Sequence, residues 1–169
     1  NEPIGMTTVQ NGVWSDGSTW LGGLVPSSSS DVTISHYISI NSNLAISGAI
    51  TVGGNKRITV NSGYTLSHTG TLENRGSIMG PYSLEGSSRA MNIGDVEDII
   101  VSVTGIISLN ADCSISRLLR LDAGATLDVS GYQVRLLATA SRTCLVHDNG
   151  GATIGDFIVE QHIPQRYNP

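Results

Sequence analysis

A beat of six residues runs through this chain and restricts its fold more than any other feature. Ile34, Ile40, Ile46 and Val52 stand six apart, and after a two-residue slip Val60, Leu66, Leu72 and Ile78 take up the same spacing. A second block repeats it: Val103, Leu109, Ile115, Leu121 and Leu127. Most of these residues have another apolar side chain two positions earlier: Val32, Ile38, Leu44, Ile50, Ile58 and Tyr64, then Val101, Ile107, Cys113 and Leu119. Residues two apart share a face of a strand. Each unit of six therefore reads as a short strand with two inward side chains, followed by a turn. Residues such as Asn41, Gly48, Gly53, Gly54, Asn61, Gly70, Gly76, Asn110 and Gly124 fill the gaps, and these types turn a chain at low cost. Three units make a coil of roughly 18 to 22 residues, and stacked coils form a β-solenoid around an aliphatic core.

The two inward positions often both carry large side chains, as in Val32 with Ile34 and Ile38 with Ile40. Coil length also varies at the slip between Val52 and Val60. Both features predict the roomier right-handed parallel β-helix over a left-handed hexapeptide helix. Roughly six coils are expected over residues 32–163, behind a capping segment at 1–31. The beat breaks at 80–98, "GPYSLEGSSRAMNIGDVED", which predicts an irregular loop bulging from the solenoid. Residues 164–169 read as the start of a linker. A β-sandwich of short strands is the competing fold. It wants longer alternating strands joined by hairpin turns, and neither Asn11-Gly12 nor Asn149-Gly150 lies between two clean strands.

Composition points the same way. Only 14% of residues are charged while glycines number 20, and no segment sustains a helical apolar period. A net charge of −5 argues against a broad nucleic-acid surface. No apolar run approaches the length of a membrane span, so membrane insertion is not expected. With no signal peptide and no initial Met, the chain reads as a fragment of a larger protein. A monomer is expected. Cys113 and Cys144 sit among apolar neighbours and read as small buried hydrophobes; a disulfide, which would suit an exported protein, is the alternative.

Motifs for chemistry are sparse. His36, His68, His147 and His162 show no metal-ligand spacing. Asp95, Glu97 and Asp98 cluster in "GDVED"; they offer carboxylates for Ca²⁺, or form a solvated acidic loop, and no other cofactor is expected. "GGNKR" at 53–57 lacks the strand-to-helix setting of a phosphate loop. Arg117 and Arg135 are 18 apart, and Arg120 and Arg142 are 22 apart. Such separations predict register on neighbouring coils and a basic patch for the carboxylate or sulfate groups of an acidic polysaccharide. The alternative is that these arginines bridge to Asp112, Asp122 and Asp128, at little gain in stability. Tyr82, Tyr132 and Tyr167 are candidate sugar-stacking residues, but at 5% aromatics no aromatic strip is visible.

The opening stretch is the most specific. "GVWSDGSTWLGGLVPSSSSDVTIS" resembles a motif of exported Bacteroidetes proteins, matched at Trp14, Ser15, Asp16, Thr19, Trp20, Gly22, Gly23, Pro26, Asp31 and Ile34. Its continuation "ISINSNLAISGAITV" resembles the related eight-glycine domain, through Leu44, Ile46 and Gly48. "FIVEQHIPQR" resembles the V-E-R-Y-I-P segment that follows such domains in large gliding-bacteria surface proteins, with His162 in place of the usual aromatic. The resemblance implies a β-helix module near the start of a large secreted or cell-surface protein that leaves by type IX secretion. It carries adhesive, structural or polysaccharide-directed roles, and no shared catalytic set transfers to this chain.

Three functions are therefore weighed. The first is a non-catalytic extracellular or bacterial cell-surface module that spaces or adheres. The second is a carbohydrate-binding module of a polysaccharide-degrading enzyme. The third is a β-helical lyase or hydrolase, for which converging acidic residues are wanting. An ice-binding face would need a Thr-x-Thr ladder, and "TGT" occurs once. Trp14 and Trp20, held by Asp16, Pro26 and Asp31, are expected to cap the apolar end of the first coil; ligand stacking is the alternative.

Overall fold

The computed structural model of the chain describes residues 5–161. It is an all-β parallel solenoid of about six turns. The strands, in chain order, are β1 (Met6–Thr7), β2 (Gly12–Val13), β3 (Val32–Ile34), β4 (Tyr37–Ile40), β5 (Leu44–Ile46), β6 (Ile50–Val52), β7 (Arg57–Val60), β8 (Leu66–His68), β9 (Leu72–Asn74) and β10 (Ser77–Met79). Longer strands follow: β11 (Tyr82–Met91), β12 (Asp95–Leu109) and β13 (Cys113–Asp122). Then come β14 (Ala125–Asp128), β15 (Val134–Leu136), β16 (Leu145–Asn149), β17 (Ala152–Ile154) and β18 (Phe157–Val159).

Three parallel ladders run along the axis. The first is β1, β3, β6 and β9. The second is β2, β4, β7, β10, β12, β13, β15 and β18. The third starts at β5 and β8 and continues through β11, β12, β13 and β16. The second and third merge into one 14-stranded sheet because β12 and β13 are long enough to serve both faces. Ile38, Ile58, Ile78, Val96, Ile115 and Leu136 form one unbroken inward column of the second ladder, each opposite the next. All of these except Leu136, at 5%, are at most 2% exposed. Named strands pair only in parallel among the described residues, which excludes the sandwich.

The six-residue beat marks the inward pairs Val32/Ile34, Ile38/Ile40, Ile50/Val52 and Ile58/Val60, all buried. It fails after the slip. Tyr64 is exposed, and the inward pairs of the next strands are Leu66/His68 and Leu72/Asn74. His68 takes the place that Ile46 holds one coil earlier, and Asn74 that of Val52.

The expected loop at 80–98 is corrected. It consists of β11 and the start of β12, and Tyr82, Leu84, Met91, Ile93 and Val96 lie in the core. The beat disappears because a single strand rounds the corner between two faces with no separate turn. Gly86, at φ +90°, and a register shift between Ser87 and Arg89 make that bend.

The expected cap at 1–31 is in part a coil already. Met6 and Thr7 pair with Val32 and Thr33, and Gly12 and Val13 with Ile38 and Ser39. The stretch between β2 and β3 adds a 3₁₀ turn, Gly17–Thr19, and no strand. The expected end of the solenoid at 163 and the linker at 164–169 lie outside the described residues, as do His162 and Tyr167.

Side chains tie coil to coil at the corners. The Oδ1 atoms of Asn11, Asp31, Asn43 and Asp112 accept the backbone N–H of Tyr37, Ala49, Thr65 and Gln133, at 2.9, 2.7, 3.0 and 2.8 Å. Each satisfies a donor that the turn leaves without a strand partner.

Candidate functional site

The four sequence-predicted arginines do not form stacked pairs. Arg135 sits opposite Ser114, and Arg120 lies between Ile100 and His147. The coils are longer here than the spacing of 18 or 22 assumed, since the turn holding Arg142 intervenes before β16. Each arginine meets a carboxylate. Arg117 donates from Nε to Asp98 at 2.7 Å and from its terminal nitrogen to the same carboxyl group. It also lies 3.8 Å from Glu97, which accepts from Arg142 at 2.6 Å and from the Gly80 N–H at 2.9 Å. Arg120 grips Asp122 at 2.7 and 3.1 Å, and Arg135 lies 3.7 Å from Glu160.

Of the expected partners, only Asp122 is one. Asp112 accepts from the Gln133 N–H and Asp128 from the Ser130 N–H. The Arg120 guanidinium, with the Ser102 hydroxyl and the Asn149 amide, holds the Asp122 carboxyl far below the usual carboxylate range.

Asp95, Glu97 and Asp98 take different partners and do not converge. Asp95 accepts from the Ser114 hydroxyl, while Glu97 and Asp98 serve Arg142 and Arg117. Among the described residues no group of three or more His, Cys, Asp or Glu is arranged to hold a metal ion. Burial raises the Asp98 pKa in spite of Arg117. Burial also opposes the charge of Glu97, but Arg142, the Gly80 N–H and Arg117 together leave its pKa lowered.

Trp14 and Trp20 are 4% and 1% exposed and belong to the continuous core, so neither offers a face to solvent. Their rings meet edge to face at 4.9 Å, and the Trp20 Nε1–H donates to the Trp14 carbonyl at 2.8 Å. Asp16 caps the 3₁₀ turn by accepting from the Ser18 N–H at 2.9 Å; Pro26 is buried, and Asp31 reaches the second coil. Cys113 and Cys144 are buried free thiols, and burial pushes Cys113 up to about 12.

Two arrangements escaped the sequence. The first is inside. His68, fully buried, places Nδ1 2.9 Å from the Tyr82 hydroxyl and Nε2 2.9 Å from the Gly48 carbonyl. A carbonyl only accepts, so Nε2 carries the proton and Tyr82 donates to Nδ1. Burial, against the favourable Gly48 bond and with repulsion from Arg89, lowers the His68 pKa to about 4. Tyr82 is therefore a core residue and not a sugar platform; Tyr132 remains 39% exposed. Asn74 is likewise buried, with its amide donating to the Ile93 carbonyl at 2.7 Å.

The second is outside. The outward residues of the second ladder form a column in register: Tyr37, Arg57, Ser77, Asp95, Ser114, Arg135. Gly53–Arg57, rejected above as a phosphate loop, is the corner that leads into β7, with Asn55 at φ +59°. It sets Lys56 and Arg57 5.8 and 5.6 Å from the centre of the Tyr37 ring. An open groove of about 380 Å³ lies over these residues and Arg75, Ser77 and Asp95. A basic residue one coil from an exposed aromatic was the available signal: Tyr37 and Arg57 are 20 apart.

Comparison with protein-family models, with curated proteins and with solved structures gave no match.

Proposed function

We propose that the chain is a non-catalytic β-solenoid module of a secreted or cell-surface protein, with a structural or adhesive role in contact with polysaccharide. One observation carries the reading: the core is a single continuous stack from Trp14 to Cys144, while the surface offers open grooves and paired charges. Such an object holds its two ends apart and presents repeated faces. The resemblance of the opening motif to exported Bacteroidetes proteins supports an extracellular place and a type IX route. We read the arginines 117, 120, 135 and 142 as structural ion pairs first and as ligand contacts second.

A carbohydrate-binding module attached to a polysaccharide-degrading enzyme is the second reading, favoured by the half-exposed Tyr37 beside two cations. The test is incubation of the purified chain with acidic and neutral polysaccharides, with and without Ca²⁺, following reducing ends and unsaturated products. No product is expected. Steady release of either would overturn the proposal in favour of a lyase or hydrolase.

A further inference from the structure

We infer that the outward column of the second ladder binds an acidic saccharide chain laid along the solenoid axis, over the Tyr37 ring and against Lys56 and Arg57; this rests on the reading of the chain as a module that meets polysaccharide.

Register supplies the template. Tyr37, Arg57, Ser77 and Asp95 occupy successive rungs, and at ~4.8 Å per rung the row spans about 14 Å. The order is an aromatic ring, a cation, a hydroxyl and a carboxylate. A second groove, of about 230 Å³, prolongs the row past Asp95 to Ser114 and Arg135. The trough is open and shallow, which suits a chain lying across rungs better than a small molecule that must be enclosed.

Charge selects the ligand. In a protein of net charge −5, Arg117, Arg120, Arg135 and Arg142 all face carboxylates. Among the described residues Lys56 and Arg57 pair with none; their nearest partner is the Tyr37 ring. Arg75 stands beside them, tied to Glu73 by an exposed contact of 2.9 Å. Such a pair contributes little in water, so a ligand anion can displace it. A sugar's apolar face fits the Tyr37 ring, which is 48% exposed and braced by the two cations. Carboxylate or sulfate groups fit Lys56 and the Arg57 fork. Ser77 and Asp95 take sugar hydroxyls, and the Asp95 charge confines the acidic groups to the Tyr37 end.

The test is titration calorimetry with heparin oligosaccharides and oligogalacturonate, and with cello-oligosaccharides as the neutral probe. We expect an acidic probe to bind, salt to weaken it, and the neutral probe to give no heat. Tyr37→Ala and Arg57→Ala each weaken binding about tenfold, and Arg57→Lys recovers part of the loss. Arg120→Ala is without effect. Circular dichroism and melting of each variant establish that it is folded. Three results would each overturn the inference: no binding of either acidic probe, binding indifferent to the double variant at Tyr37 and Arg57, or equal binding of the neutral probe. Binding lost only with Arg117 and Arg142 would also overturn it, while leaving the module reading intact. Product release tests that reading separately.

Discussion

Acidification should weaken this fold through one residue, His68. In the native state the ring is sealed between Tyr82 and Gly48, with the Arg89 guanidinium near, and its pKa is lowered to about 4. The unfolded chain titrates near the ordinary value of 6.5. The sign follows from proton binding: between these values the unfolded state holds more protons, so stability present above pH ~6.5 is lost as pH falls towards ~4. At 1.36 kcal/mol per pH unit of difference, the loss is about 2 kcal/mol by pH 5 and about 3 kcal/mol by pH 4. Protonation also turns Nδ1 into a donor, so that it and the Tyr82 hydroxyl, formerly its donor, must rearrange.

The assay is urea unfolding at steps from pH 7 to pH 4, on the parent and on His68→Gln. Glutamine can still donate to the Gly48 carbonyl and accept from Tyr82, but it does not titrate. Carboxylates such as Glu97 and Asp122, whose pKa values are lowered, lose their contribution only at lower pH and do so in both proteins. The parent should therefore lose about 3 kcal/mol more than the variant over this range. Equal slopes for the two proteins would refute the reasoning.

Three further outcomes are expected. Trp20→Ala removes a ring only 1% exposed and should cost about 3–5 kcal/mol, read as a fall in melting temperature; an unchanged melting temperature would deny the ring its place in the core. Gly70→Ala puts a methyl group into the Gly48 carbonyl of the coil below, where backbone cannot give way, and should cost about 3 kcal/mol in urea midpoint terms, against little for Ser67→Ala on the outer face. Asp31→Ala orphans the Ala49 N–H and should cost about 1–2 kcal/mol, with Asp31→Asn close to the parent because its Oδ1 accepts the same bond.

Much of the architecture was legible because a solenoid repeats its inward phase. Ile38, Ile58 and Ile78 each announce the same column, and the strand pairs of the first coils follow from the six-residue spacing. The spacing failed where geometry replaced turns with bends. At Gly86 the chain rounds a corner inside one strand, and a beat that counts turns loses its place there. It failed again at His68 and Asn74, because hydropathy alone places polar side chains outside. Their position one coil after Ile46 and Val52 was the readable clue. The arginine pairs were misplaced because a constant coil length was carried into a region where Ser114 meets Arg135, 21 residues on, and Arg120 meets His147, 27 residues on. The groove at Tyr37 was missed because it belongs to no linear motif. It exists only once register sets residues a coil apart side by side.

That register bears on how such a chain assembles and grows. Along the second ladder the partners Ile38 and Ile58 are 20 residues apart, Ile58 and Ile78 again 20, and Val96 and Ile115 19. Whatever the rung, forming the next one closes a loop of nearly the same size, so the entropy of each step stays nearly constant. A longer version would not need contacts between more distant parts of the chain, and its search would not slow as it does in folds whose ends must meet. Tandem duplication of one such stretch would extend the rod by a rung while leaving every existing contact in place.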